Sequence, residues 1–214
     1  MHKRSTTVKR IADSTVRRLS AYLRFLEDSE ARGVTTISSE ELARRGGTTS
    51  AQVRKDLSFF GSFGKRGLGY SVPELATQLR DILGLERDWR VIIIGAGKIG
   101  AALAQYHGFQ QRRFSVIAAY DVSADKIGRN LDGMVVRDMA HLERDIQREH
   151  PDIAVVAVPE DRAQSVVDRL VRAGMKAILN FAPVQLQVPP DVTVKTVNMA
   201  MELEGLSFAL SNRD

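Results

Sequence analysis

The sequence predicts an α/β protein, with an N-terminal winged helix followed by a Rossmann-like parallel α/β domain. Three observations predict it. Positive charge is concentrated in the first eighty residues; helix-capping signals there precede a glycine-rich, aromatic stretch; and from Arg90 onward short apolar runs alternate with helical patterns, beginning at VIIIGAGKIG. The expected boundaries are a basic domain over 1–85, an α/β domain over 86–197 and a terminal helix over 198–214.

The chain has 214 residues, long enough for two modest domains, and 43% of them are hydrophobic, an ordinary globular proportion. It contains no cysteine, which excludes disulfides, thiol nucleophiles and cysteine-held metal clusters. His2, His107, His141 and His150 are scattered without ligand spacing, so no metal site is expected. Apolar runs fall well short of the roughly 20 residues a membrane span needs, and no apolar signal core follows the basic N-terminus. The expected location is therefore cytoplasmic, with no membrane partner. Residues 1–80 hold 15 Lys and Arg against 8 Asp and Glu, a net of +7; residues 81–214 hold 16 against 18, a net of −2. A basic domain joined to a near-neutral one suggests a polyanionic partner, although a solvated basic face has the same composition.

Val8, Ile11, Leu19, Tyr22, Leu23 and Leu26 recur at helical spacing, so residues 8–28 read as one amphipathic helix ending before Gly33. Its polar side carries Arg10, Arg17, Arg18 and Arg24. Ser38-Ser39-Glu40-Glu41 has the form of a capping box and opens a second helix that stops at Gly46-Gly47. Thr49-Ser50-Ala51-Gln52 repeats that logic for a third helix through Phe60, with Val53, Leu57 and Phe60 on one face. The other face presents Gln52, Arg54, Lys55 and Ser58. Two short helices joined by a glycine turn fit a helix-turn-helix whose second helix enters a major groove. Arg and Lys suit guanine edges or phosphates and Gln suits adenine, while Ser50 and the helix N-terminus suit a phosphate. GSFGKRGLGY, residues 61–70, then reads as a β-hairpin wing with Lys65 and Arg66 at its tip, placed to enter a minor groove. Two-fold symmetric readers favour a homodimer on an inverted repeat of double-stranded DNA. PELATQLRDILG, residues 73–84, reads as a connecting helix.

The second half alternates strand and helix. VIIIG is followed by a helix over 98–108, the strand FSVIAAYD, a short strand over 134–137 and a helix over 139–150. Then come the strand DIAVVAV, a helix over 160–174 and the strand KAILNF. The glycine fingerprint Gly95-Ala96-Gly97-Lys98-Ile99-Gly100 follows a strand, opens a helix and is answered by Asp121 at the end of the next strand. In that pattern Gly95 allows the turn, Gly97 admits the pyrophosphate and Gly100 permits close helix packing. Asp121 accepts from ribose hydroxyls and repels a 2′-phosphate, which favours NADH and NAD⁺ over their phosphorylated forms; Val122 follows it, and Lys126, Ile127 and Arg129 lie nearby. Val158-Pro159 and Asn180-Phe181-Ala182 fall at later strand ends, where the nicotinamide half is expected, or are simple loop chemistry. The constellation of acid, base and substrate domain that a dehydrogenase needs is not visible, so no catalytic residue is assigned and binding without turnover is the expectation. The alternatives are an NAD-dependent oxidoreductase with a basic accessory domain and a CoA-binding module.

Taken in order, QVRKDLSFFGSFGKRGLGY, GAGKIG with Tyr106 and Gly108-Phe109, YDVSADKIG, VPE, ILNFAPV and MELEGLSF resemble the Rex family of redox-sensing transcriptional repressors over nearly the whole chain. The resemblance implies a homodimer in which NADH and NAD⁺ compete for the fingerprint pocket. NADH would close the dimer and release the operator, derepressing respiratory or fermentative genes. It implies that the last helix, 199–211, is swapped between subunits, with Met199 beside the nicotinamide. It also implies a coupling triad of Arg24, Tyr106 and an Asp whose position is held here by Asn198. Asn198 can hydrogen bond but supplies no charge, so weaker discrimination between the redox forms is expected.

Overall fold

The structure, a computed structural model, describes residues 11–64 and 68–212, which leaves Val8, Arg10, Lys65 and Arg66 outside the described residues. The chain divides into two compact units, residues 1–87 and 88–214.

The first unit begins with α1 (Asp13–Ala31). It ends where the amides of Arg32 and Gly33 turn back onto carbonyls of its last turn and Gly33 takes φ +75. After β1 (Thr36–Ile37), α2 (Ser39–Arg45) starts at Ser38, whose hydroxyl accepts the Glu41 N–H at 3.1 Å. α3 (Ser50–Ser58) starts at Thr49, whose hydroxyl accepts the Gln52 N–H at 3.2 Å. These are the two caps read from the sequence, each satisfying a backbone donor that the helix start leaves free. The turn between the two helices sits on Tyr22: a Cβ at Gly46 would lie 2.5 Å from that ring. β2 (Tyr70–Ser71) leads into α4 (Val72–Ile82). Far from being a mere connector, α4 buries Val72, Leu75, Ala76 and Leu79 in one core with Leu19, Leu23 and Leu26 of α1 and Val53 and Leu57 of α3.

The tip of the hairpin expected over 61–70 lies outside the described residues. Of its flanks, residues 61–64 form no strand, and Tyr70 and Ser71 pair with Ile37 and Thr36 in an antiparallel ribbon. Gly61 and Gly64 take φ of +143 and +73, which breaks any extended run before the tip, whereas Ile37 and Tyr70 are both buried and their pairing closes the core.

The second unit comprises β3 (Trp89–Ile94), α5 (Lys98–Ala104), β4 (Phe114–Asp121), β5 (Asn130–Leu131), β6 (Met134–Asp138) and α6 (Leu142–Glu149). It continues with β7 (Ile153–Val156), α7 (Glu160–Arg172), β8 (Ala177–Asn180), β9 (Thr193–Thr196) and α8 (Met199–Ser211). The sheet order is β5-β6-β4-β3-β7-β8-β9, with only β5 antiparallel. Ile92, Ile94, Ala154 and Val156 enter one core cluster while Val91, Ile93 and Val155 enter another. The central strands are therefore covered on both faces, which is why they read as continuous apolar runs. The chain leaves β3 for β4 on one side and reaches β7 on the other; ligands collect at the carboxyl ends beside such a switch point. α5 is shorter than expected because the chain leaves the helix in tight turns at Tyr106–Phe109. Among the described residues no helix is long and apolar enough to cross a membrane.

Candidate functional site

The glycine loop joins β3 to α5, and its glycines differ in why they are glycine. Gly95 has φ +98, and a Cβ there would lie 2.4 Å from the Ala157 carbonyl oxygen; at Gly100 it would lie 1.8 Å from the Gly95 oxygen. Both are demanded by the fold itself. Gly97 is not: as N-cap of α5 it has φ −74 and ψ −170, extended backbone open to any residue, and nothing lies within 4 Å of its missing Cβ. The bare Gly97 leaves space directly above the free amides of a helix start, where anions are favoured.

Asp121, buried at the end of β4, closes the adjoining side. Its Oδ2 accepts from the Ala96 amide at 2.8 Å and from Lys126 Nζ at 3.1 Å, and Oδ1 accepts from the Ser123 amide at 2.9 Å. Burial alone raises its pKa, but the Ser123 and Ala96 amides and Lys126 more than offset this and hold the carboxyl below its ordinary range. It is thus a fixed anion, and Oδ1 retains capacity for another donor.

Gly95, Gly97, Lys98, Ile99, Asp121, Val122, Lys126, Val158 and Pro159 line a single cavity of about 950 Å³, at the carboxyl ends of β3, β4 and β7. Ala96 lines a neighbouring cavity of about 350 Å³ with Lys98, Lys126 and Arg129. The larger cavity also has walls that sequence reasoning missed: Met139, and Arg162, Ser165, Val166 and Arg169 from α7. Their i, i+3, i+4, i+7 spacing on the helix after Pro159 was the available signal. Arg169 is held there by Glu143 at 2.7 Å and by the Met139 carbonyl at 2.8 Å.

Ile127, Asn180, Phe181, Ala182, Tyr106 and Met199 are not among the lining residues of that cavity. Asn180, wholly buried, donates to the Ala182 carbonyl and accepts the Ala182 amide, both at 2.9 Å, so it shapes its own loop. Tyr106 is exposed, meets Phe109 edge-on at 5.1 Å and lines a separate cavity of about 70 Å³. A Cβ at Gly108 would lie 2.5 Å from its ring, so the glycine gives the tyrosine its place. Asn198 caps α8, its Oδ1 accepting the Ala200 and Met201 amides at 3.0 and 3.3 Å. Met199 is exposed.

In the first unit, Arg17, Arg24, Arg54, Lys55 and Ser58 are exposed and Ser50 is half-buried. Arg54 donates to the Ser39 hydroxyl at 2.9 Å, and the Ser58 hydroxyl donates to the Lys55 carbonyl at 2.7 Å. Arg18 and the amide nitrogen of Gln52 are turned toward the protein. Both donate to Asp56, a fully buried carboxylate on α3: Arg18 at 2.6 and 2.7 Å, Gln52 at 2.7 Å, with the Tyr22 hydroxyl at 3.1 Å. Burial and Asp56 push the Tyr22 hydroxyl up to about 12, so it remains a donor at neutral pH. Burial raises Asp56 itself, but hydrogen bonds from Arg18, Gln52 and Tyr22 outweigh this and lower it below 3.8. A carboxylate lowered on folding stabilises the fold above its unfolded value and loses that contribution as pH falls through the folded one. Melting temperature is therefore expected to drop as pH falls below 3.8, with a shallower drop in Asp56→Asn. An identical slope in the variant would show that the carboxylate does not carry the linkage.

With this geometry in view, comparison with known proteins is decisive. The chain is 44% identical over 199 residues to the redox-sensing transcriptional repressor Rex of Carboxydothermus hydrogenoformans, covering 93% of this chain and 96% of the relative. The chain belongs to the Rex family. The Rex of Streptomyces coelicolor is 46% identical over 207 residues, 97% of this chain and 80% of the relative. Two solved structures of RSP, a Rex-family repressor, also match. The complex with β-NAD⁺ and operator DNA has a TM-score of 0.90 at 40% identity, covering 94% of this chain and 93% of that one. The complex with β-NADH has a TM-score of 0.87 at 39% identity, covering 94% and 95%. The family described as "Putative DNA-binding protein N-terminus" matches residues 10–58 and that described as "CoA binding domain" matches residues 86–184. Relatives matched in sequence are named as transcriptional repressors. At the position where the Rex resemblance implies an Asp, this chain has a neutral helix cap.

Proposed function

We propose that this chain is a cytoplasmic, non-catalytic, homodimeric repressor that binds an inverted-repeat operator and releases it when NADH replaces NAD⁺. The observation that carries the nucleotide half is the bare Gly97, a glycine that its own fold does not require and that a bound pyrophosphate does. Gly95, Ala96, Gly97, Lys98, Ile99, Gly100, Asp121, Val122, Lys126, Ile127, Val158 and Pro159 would hold the adenosine and pyrophosphate half. Asn180, Phe181, Ala182, Tyr106 and Met199 would shape the nicotinamide half once a partner subunit completes it. The redox chemistry belongs to the dinucleotide; the chain's residues bind and orient it. NAD(H) is favoured over NADP(H) because Asp121 is held as an anion where a 2′-phosphate would sit. Arg17, Ser50, Gln52, Arg54, Lys55, Ser58, Lys65 and Arg66 would meet DNA. Arg24, Tyr106 and Asn198 would couple the two functions, Asn198 without the charge that responds to the nicotinamide ring. This reading divides the chain at residues 85 and 197 into a DNA-binding, a dinucleotide-binding and a swapped dimerisation part.

NADH can shift the DNA-competent population only by its differential affinity for the two arrangements, and a swing from 99:1 to 1:99 requires ~5.5 kcal/mol. By reciprocity, operator DNA weakens NADH binding by the same factor. The test is a titration of operator binding with NADH at fixed salt, because phosphate contacts make affinity salt-dependent. Release by NADH and not by NAD⁺ is expected. Operator binding indifferent to both would sink the reading, and NADH consumption with a substrate would favour an oxidoreductase.

A further inference from the structure

Asp56 does more than tie α1 to α3, because of which atom of Gln52 it holds. An ionised carboxylate only accepts hydrogen bonds, so the end of the Gln52 amide that faces it at 2.7 Å must be the nitrogen. Arg18 supplies the countercharge and Tyr22 a third donor, which together outweigh the cost of burying Asp56, so the carboxylate stays ionised and the amide cannot turn over. Gln52 stands in the first turn of α3, the part of a recognition helix that reaches base edges, and is half-buried rather than enclosed.

We propose that Asp56 is a positioning residue that locks Gln52 with its Oε1 as an obligatory acceptor, so that one base pair in each operator half-site must offer an exocyclic amino group there. In the major groove only adenine N6 and cytosine N4 provide one; guanine O6 and thymine O4 are acceptors and oppose Oε1. Arg18 on this account is the counter-ion of Asp56 and not a phosphate ligand. The proposal rests on the reading of α3 as the recognition helix.

Transitions separate this from a purely structural role, because A→G and C→T exchange amino for keto at constant base size. The full-length chain selects a duplex from a random pool, and each position is then changed by transition. One transition per half-site is expected to weaken wild-type binding about threefold to tenfold through the Gln52 bond. Gln52→Ala abolishes that penalty and leaves the others. Asp56→Asn, whose own amide can donate and so lets Gln52 turn over, abolishes the same penalty; it leaves the salt dependence and NADH affinity unchanged, and the double variant does no more than either single one. Gln52→Ala removes only one of the donors to Asp56 and is decisive even if Asp56→Asn fails to fold. If Gln52→Ala keeps every wild-type penalty, or Asp56→Asn keeps the one that Gln52→Ala loses, the proposal is overturned. A wild type that selects no duplex overturns the recognition-helix reading, and this proposal with it.

Discussion

Gly97→Val is expected to lower NADH affinity at least about 100-fold, equivalent to ~2.7 kcal/mol, while leaving the melting temperature close to that of the wild type. The backbone at Gly97 is extended, with φ −74, and no atom lies within 4 Å of the Cβ position, so the fold leaves room for a side chain to start there. A poorer N-cap costs at most about 1 kcal/mol. What the side chain fills is the space over the first amides of α5, the approach a pyrophosphate must use. Gly95→Ala and Gly100→Ala are the contrast. The first forces φ +98 on a residue with a Cβ, and the second drives a methyl to 1.8 Å from a backbone oxygen, so both should lower the melting temperature outright. Calorimetric titration and thermal melting of the three variants separate glycine kept for the ligand from glycine kept for the fold. If Gly97→Val binds NADH within threefold of wild type, the pyrophosphate is not held at this loop. Where it does lose NADH, operator binding should persist and stop responding to the cofactor.

Much of this was legible because local chemistry announced it. Ser38, Thr49 and Gly33 mark helix ends through backbone groups in the same few residues, and the β3 to α5 fingerprint with Asp121 is a local motif in a recognisable context. What escaped the reading depends on partners distant in sequence. Periodicity places Arg18 on the polar side of α1, which gives a face but not a neighbour; Asp56 lies 38 residues away. A signal was nevertheless present, since Asp56 falls on the face of Val53 and Leu57, and a charge there demands a paired donor. β1, β5 and β9 were missed for another reason. They are edge strands of two to four residues, defined by what they pair with. The α7 wall of the cavity follows from the placement of a helix over the crevice, which no single residue of α7 declares.

The second large effect concerns α8. Charging it is expected to convert the proposed dimer into a monomer and abolish operator binding. Met199, Leu203, Leu206 and Leu210 form one stripe and Met201 and Phe208 lie on the opposite side, all between 61% and 71% exposed in the single chain. A helix polar on one side could lie on a surface; one apolar on opposite sides needs cover on both. That is the requirement of a helix inserted between two surfaces, as the proposed swapped arrangement would supply. Burying each such side chain is worth about 1.5–3 kcal/mol, and two copies contribute, before the cost of association. Leu206→Asp and Phe208→Asp probe the two sides separately, and each is expected to raise the dimer Kd at least about 100-fold. Light scattering across a dilution series measures it. Should only one of the pair weaken the dimer, α8 rests on a surface and is not inserted. If neither does, the dimer is built elsewhere, and a wild type that is monomeric at micromolar concentration sinks the homodimer itself. Loss of operator binding should track loss of the dimer, because an inverted repeat engages two recognition helices at once and a lone unit forfeits the second set of contacts.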